Sequence, residues 1–485
     1  MTTATPATSN ADRWRLVFIA ATVLVIILAA FVRIRGALND LWLDEIWSLD
    51  LVREIKSPFE VFTRIHHDNN HYLNSLFMYF AGQRGNWPGY RVPAVIAGCG
   101  AVILAWLSGK RRSRATAFFS MALVALSYVL VLYSSEARGY GSLIFFSFLC
   151  FVALQSFFDR PRWQAAALFS IGAILGFSSH LTFLIFLLAS FIWFCVWSVQ
   201  SRSPLRKIIT NAIFCYAAPA LYLGALYLID LRQLKFGSGT PTPLAKAYVS
   251  SLAWTLGVPN IPWVQFIGSG ISFVGLLGGL VLLWRKKSDQ WAFFAAVIVV
   301  VPIILAAFRP REFLYVRYFI ISIAFLLLLF GIALSWLWER GLFGRVAAAV
   351  LLISYVMANS LHIGELFKYG RGRTTEAIQF MAEHSRPQST VTFGGDHDLR
   401  IMYVLRFYLK FMMQDKATHY YGRRMWPIDG LDWFICHQDS SERPRPPGAR
   451  YRDDHGNEYD LVGVYPSAPL SGVHWFIFHN HDRPW

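Results

Sequence analysis

The chain has 485 residues, a mean hydropathy of +0.41, 55% hydrophobic and 16% aromatic residues, and only 15% charged ones. A soluble domain carries about one quarter charged residues; with repeated apolar runs of about 18 residues or more, this composition excludes a soluble protein and indicates a polytopic membrane protein. The net charge of +16 lies in short clusters between the apolar runs with no recognition motif beside them, so no nucleic-acid partner is expected.

Arg13 and Arg15 precede the apolar run 16–32, which reads as an uncleaved first span with a cytoplasmic N-terminus. The chain emerges near Arg33 and Arg35 into a first external loop, about residues 35–90. Within it Trp47, Leu51 and Ile55 share one helical face and Asp50, Arg53, Glu54 and Ser57 the other. That pattern predicts an interfacial helix in the headgroup plane. Pro58 ends it, and the polar stretch His66-His67-Asp68-Asn69-Asn70-His71 comes next. Residues 72–82 are apolar but only about half the length of a span. They predict a half-helix on the outer side, with Arg84 and Arg91 bracketing the next turn.

Basic clusters set the parity of the remaining spans. The run 92–109 leads to Lys110-Arg111-Arg112-Ser113-Arg114, which is cytoplasmic by the positive-inside rule. Run 115–133 then returns outward, so Tyr133-Ser134-Ser135-Glu136-Ala137-Arg138-Gly139-Tyr140 opens on the face that holds Asp44 and Glu45. Further runs at 141–158, 165–179, 181–199, 208–231, 266–284, 291–308, 319–338 and 346–363 alternate without conflict, with a Gly/Pro/Thr-rich loop at 232–265. The total is about eleven spans. Residues 1–369 therefore read as the membrane domain and 370–485 as a small extracytoplasmic α/β domain, with strands near 390–393, 433–435 and 475–478 and a helix at 400–410. The five cysteines are scattered without metal or disulfide spacing.

Four outer-face features carry charge where apolar surroundings disfavour it: Asp44-Glu45, the stretch His66 to His71, Glu136 with Arg138, and the arginines Arg309, Arg311 and Arg317. A carboxylate can take a proton from an attacking hydroxyl, and guanidiniums can hold a phosphate and the charge it gains on leaving. A blander reading stands beside this one: Asp44 as a helix cap, Glu136 and Arg138 as a structural ion pair, and the outer arginines as headgroup contacts.

Trp42-Leu43-Asp44-Glu45 resembles the Asp-Glu signature of the GT-C membrane glycosyltransferases. The stretch from Tyr133 to Tyr140 closely resembles the YSxEARxY motif of their branch related to protein O-mannosyltransferases and lipid A aminoarabinose transferases, and Arg317-Tyr318 is similar to that branch's RY element. The chain departs from the branch where a His-Pro-Pro-Leu element is usual, reading His71-Tyr72-Leu73-Asn74 after Asn70. The resemblance implies a GT-C fold and inverting transfer of a monosaccharide from a polyprenyl-phosphate donor to a lipid, glycan or protein hydroxyl. It places the reaction on the periplasmic face of a bacterial inner membrane, among membrane lipids. It implies Asp44 as general base with Glu45 orienting it; Glu136, Arg138, Tyr140, Arg317 and Tyr318 toward the donor phosphate and sugar; His67, Asn70 and His71 on the acceptor side; and a possible divalent cation at Asp44 and Glu136. The competing classes are a lipid or glycan transporter or flippase, and an O-antigen-type ligase or polymerase using lipid-pyrophosphate donors. No internal repeat of the transporter kind is evident.

Overall fold

The computed structural model describes residues 10–82, 87–235, 237, 242–307, 314–386 and 390–483. Arg84, Arg309 and Arg311 lie outside the described residues. Among the described residues nine helices are long and apolar enough to cross a membrane, from Leu16–Ala37 to the helix that begins at Gly341, and two shorter apolar helices, Arg114–Leu126 and Trp163–Ser179, complete the eleven expected segments. The span Val316–Trp338 is the most enclosed of the nine. Its Phe325 packs against Phe148, Phe151, Phe186 and Phe293. Close helix approach uses small residues, as expected where lipid offers no hydrophobic drive: a Cβ on Gly331 would lie 2.3 Å from Ser120 Oγ.

Three elements differ from the sequence expectation. The run 115–133 is a broken helix: Arg114–Leu126 stops at Ser127, whose backbone is extended, and Tyr128–Tyr133 resumes. Helix ends leave carbonyls without partners, and buried Arg33 supplies donors to Val124 O at 3.2 Å and Ala125 O at 3.0 Å. Asn359 Oδ1 accepts from Tyr128 N at 2.7 Å. Hydropathy does not register such a break, because both halves are apolar. The stretch 232–265 contains a helix, Leu244–Leu256, whose Leu252, Ala253 and Trp254 are buried.

The third difference is the first-loop helix, Leu43–Arg53. Of the residues expected on its apolar side, Trp47 and Leu51 are only half-buried, while Ile55, just past its end, is buried. Ile46, Leu49 and Val52 are buried instead, because the helix is packed between the half-helix Tyr72–Ala81 and a helix of the C-terminal region, Asp398–Met412. A sequence window sees amphipathicity but not whether lipid or protein covers the apolar side.

After Gly370 the chain forms a six-stranded sheet from β1 (Val391–Gly395), β2 (Thr418–Tyr420), β3 (Trp433–Asp439), β4 (Arg450–Arg452), β5 (Glu458–Tyr465) and β6 (Val473–Asn480). The order is β2-β1-β3-β6-β5-β4, with β1 parallel to β2 and β3 and the other pairs antiparallel. The short polar strands β2 and β4 and the bulged β5 carry weak alternation, which is why only β1, β3 and β6 stand out in the sequence. The sheet region docks on the first loop through Tyr408 Oη, which donates to Leu41 O at 2.9 Å, and Thr375 N, which donates to Asp40 Oδ2 at 2.7 Å.

Candidate active site

Asp44 and Glu45 occupy the first turn of the helix Leu43–Arg53. Successive helical residues point about 100° apart, so the two acids diverge. Asp44 faces outward and meets two arginines through one oxygen: Arg138 Nη1 donates to Oδ2, and Arg317 Nη1 donates to the same atom at 3.1 Å. The side chain keeps 15% of its surface exposed, and Oδ1 has no hydrogen-bond partner among the described residues. Burial pushes the Asp44 pKa up, but Arg138 and Arg317 outweigh it and hold the carboxyl below its ordinary value.

Arg138 is locked. Its Nη2 donates to Asn69 Oδ1 at 2.7 Å, its Nε donates to His71 Nε2 at 3.2 Å, and its guanidinium lies over the rings of Tyr140 and Trp42 at 5.2 and 5.9 Å. Burial first, then Arg138, lowers the His71 pKa well below its ordinary value, so a neutral imidazole accepts this bond. His71 stacks on His180 at 4.7 Å, which in turn sits 4.7 Å from the Tyr140 ring. Gly139 is required by this closeness: a Cβ there would stand 1.8 Å from Ser179 O.

Arg317 is held more loosely. Its side chain keeps 17% of its surface exposed, and Nε has no partner among the described residues. Aromatic rings surround it, with Tyr315 at 4.7 Å, Trp42 at 5.5 Å and Tyr318 at 5.9 Å. Such faces stabilise a cation while leaving its hydrogen-bond donors free.

The other expected site residues go elsewhere. Glu45 is sealed: Arg91 grips both oxygens at 2.7 and 2.6 Å, and Oε1 also accepts from Ala137 N at 2.6 Å. Arg91 donates onward to Ala37 O, Asn39 O and Asp40 O. Glu136 is fully buried against Arg371 at 2.9 Å, in a geometry that makes no hydrogen bond, and burial raises its pKa. Arg371 Nη2 also donates to Leu132 O at 2.8 Å. Asn70 serves the backbone, donating to Val61 O and Ile65 O. His67 is the exception: its ring lies 4.6 Å from that of Trp47, tilted by 50°, and within electrostatic reach of Asp44 and Arg138. Of the two acids expected toward a cation set, Asp44 pairs with Arg138 and Arg317, and Glu136 lies against Arg371. Among the described residues no three His, Cys, Asp or Glu side chains gather as one.

Asp44, His71, Arg138, Tyr140, Arg317 and Tyr318 are therefore brought together, while Glu45, Glu136 and Asn70 are turned into the packing. Asn69, His180, Arg91 and Arg371 were not assigned to this region from sequence. Asn69 had a local signal, because it stands next to the departure from the His-Pro-Pro-Leu pattern; Arg91, at the start of an apolar run, and Arg371, in a short basic stretch with Lys368 and Arg373, had none that points to the acids.

No protein-family model and no curated protein sequence matches the chain. Solved structures do. ArnT from Cupriavidus metallidurans in the apo state aligns over 97% of this chain and 98% of its own, at 12% identity and a TM-score of 0.51. The same protein bound to undecaprenyl phosphate aligns over 96% and 98%, at 13% identity and a TM-score of 0.51. The archaeal oligosaccharyltransferase AglB from Archaeoglobus fulgidus, in complex with an inhibitory peptide and a dolichol-phosphate, aligns over 86% of this chain and 69% of its own, at 9% identity and a TM-score of 0.50. The chain has the GT-C fold: a multi-span helical membrane region followed by a small mixed-sheet region.

Proposed function

We propose that this protein is an integral-membrane glycosyltransferase that moves a monosaccharide, with inversion, from a polyprenyl-phosphate donor to a hydroxyl of a lipid, glycan or protein acceptor. The reading places its N-terminus in the cytoplasm and its site on the periplasmic face of a bacterial inner membrane. The observation that carries it is the node at Asp44: a carboxylate anchored through Oδ2 by two arginines, with Oδ1 unpartnered among the described residues.

In this reading Asp44 Oδ1 takes the proton of the acceptor hydroxyl as its oxygen attacks the anomeric carbon. The bond between that carbon and the phosphate oxygen breaks, and the electron pair leaves with the phosphate. A phosphate is a stable leaving group and needs no acid on its far side, so one base and a cation suffice. Arg317, the more open arginine, receives the charge that develops on the phosphate. Arg138 has its donors taken by Asp44, Asn69 and His71, so its part is to fix the base rather than to grip the phosphate. Neighbours solved with undecaprenyl phosphate bound, or in complex with a dolichol-phosphate, support this class of donor.

The test is a transfer assay with the purified full chain in liposomes, using radiolabelled monosaccharide on polyprenyl phosphate or on polyprenyl pyrophosphate. Label should reach an acceptor fraction from the phosphate donor alone. Transfer only from the pyrophosphate donor, or movement of intact donor across the bilayer without cleavage, overturns the reading.

A further inference from the structure

The sheet region carries a second charged constellation, at the start of the helix that packs on the one bearing Asp44. β1 ends at Gly395, and Asp396 and His397 lead into the helix Asp398–Met412; the parallel neighbour β3 presents Cys436 and His437 beside them. His437 Nδ1 donates to Asp396 Oδ1 at 2.7 Å, and the other Asp396 oxygen accepts from His437 N and from Cys436 Sγ, both at 3.1 Å. With Nδ1 protonated, His437 Nε2 is an acceptor, and Arg400 Nη1 donates to it at 3.1 Å. The His397 ring closes the far side, 5.5 Å from that of His437.

Arg400 is half-buried, yet among the described residues no carboxylate lies within 4 Å of it. Its described partner is an imidazole nitrogen, which fixes the guanidinium without neutralising it. By contrast, Arg450 and Arg483 in the same region are each paired with two acids.

Helical spacing puts Arg400 and Tyr403 on one face of their helix, and Asp44 and Trp47 on one face of the first-loop helix. The two faces meet where the Trp47 and Tyr403 rings lie 6.1 Å apart. Tyr315, which packs on Arg317, also lies within electrostatic reach of Arg400 and of the exposed Asp439. Arg400 is thus a cation with no carboxylate within 4 Å among the described residues, one helical turn from the ring contact with the helix that bears Asp44.

We propose that Arg400, positioned by the Asp396–His437 pair, is an acceptor-side anion site that receives a phosphate or carboxylate carried by the acceptor and so sets the acceptor hydroxyl toward Asp44. The acceptor assignment rests on the reading of Asp44 as the base; the anion site stands on its own geometry. Tyr315 is a neighbour of both arginines, Arg400 for the acceptor's charge and Arg317 for the donor's.

The experiment is calorimetric titration of the full chain, in nanodiscs of phosphatidylcholine, with dodecyl phosphate, dodecanoate and inorganic phosphate. Wild type is expected to bind two equivalents of dodecyl phosphate. Arg400→Ala should lose one of them, Arg400→Lys should keep both, and His437→Phe should weaken that one about ten-fold with an unchanged melting temperature. Arg317→Ala should lose the other. Dodecanoate occupying the Arg400 site would identify a carboxylate as sufficient, and dodecyl phosphate alone a phosphate. Two equivalents retained by Arg400→Ala overturn the anion site. Two retained by Arg317→Ala overturn the donor reading instead and leave the Arg400 site standing. Inorganic phosphate binding as tightly as dodecyl phosphate would mark a free-phosphate site, and displacement by phosphatidylglycerol in the nanodisc a bilayer-lipid site; either result overturns the acceptor role.

Discussion

Asp44 and Glu45 are adjacent in the chain and equal in charge, and each is paired with arginine, but their surroundings differ. Glu45 is sealed, with both oxygens committed to Arg91 and Ala137 N. Arg91 extends the same network to three backbone carbonyls of the first loop. Asp44 shares one oxygen between Arg138 and Arg317 and keeps the other open. The difference separates a latch from a site: a buried pair whose every polar atom is satisfied fixes shape, whereas a fixed carboxylate with one free oxygen can do chemistry.

The comparison breaks first if the latch can be removed without consequence. Glu45→Ala leaves Arg91 buried without its carboxylate, which should cost about 3–5 kcal/mol of stability. Thermal unfolding in detergent measures this; a loss under about 1 kcal/mol would show that the pair is not what holds the first loop.

Arg317→Gln should be gentler on the fold and harsh on the donor. Removing one charge-assisted contact to a phosphate is expected to weaken polyprenyl-phosphate binding by about 10- to 100-fold, with the melting temperature unchanged. Equal donor affinity in the variant would move the phosphate away from Arg317.

Asn69→Ala tests whether Arg138 must be held still. Its Oδ1 accepts from Arg138, and its Nδ2 donates to Asp44 O and Ser48 Oγ at 2.8 and 2.9 Å. Losing these contacts should lower kcat/KM by about ten-fold, mostly in kcat. A change confined to KM would make Asn69 a substrate contact instead.

The smallest expected effect is on pH dependence. Asp44 has a depressed pKa in the folded chain, so its ionised form, and the stability of its ion pairs, is present above the ordinary carboxylate range. Both are lost as pH falls through the depressed value. Arg317→Gln removes one of the two opposing cations, so the acid limb of the residual transfer activity should move to higher pH. A limb that stays in place would show that the limb does not report Asp44.

A linear pattern encodes some of these features and not others. The spans were legible in the sequence, because hydropathy integrates over whole helices. The convergence of Asp44, Arg138 and Arg317 was legible too, because basic clusters at span ends set which loops share a face. The break at Ser127 was not, since the partners that make it tolerable, Arg33 and Asn359, lie 94 and 232 positions away. The fate of Glu45 was not either: nothing in Leu43-Asp44-Glu45-Ile46 distinguishes the two acids until Arg91 and Ala137 are brought in from distant segments. Glu136 shows the same limit, because its partner Arg371 sits at the start of the sheet region.

Asp44→Asn tests the central claim most directly, with donor affinity and single-turnover transfer measured on the same preparation. The side chain keeps its size and an oxygen for the arginines but cannot accept the acceptor proton as a carboxylate does. Polyprenyl-phosphate binding should stay within a few-fold of wild type, while transfer falls by about 10³-fold. An Asn variant that transfers at a rate near wild type would contradict Asp44 as the base.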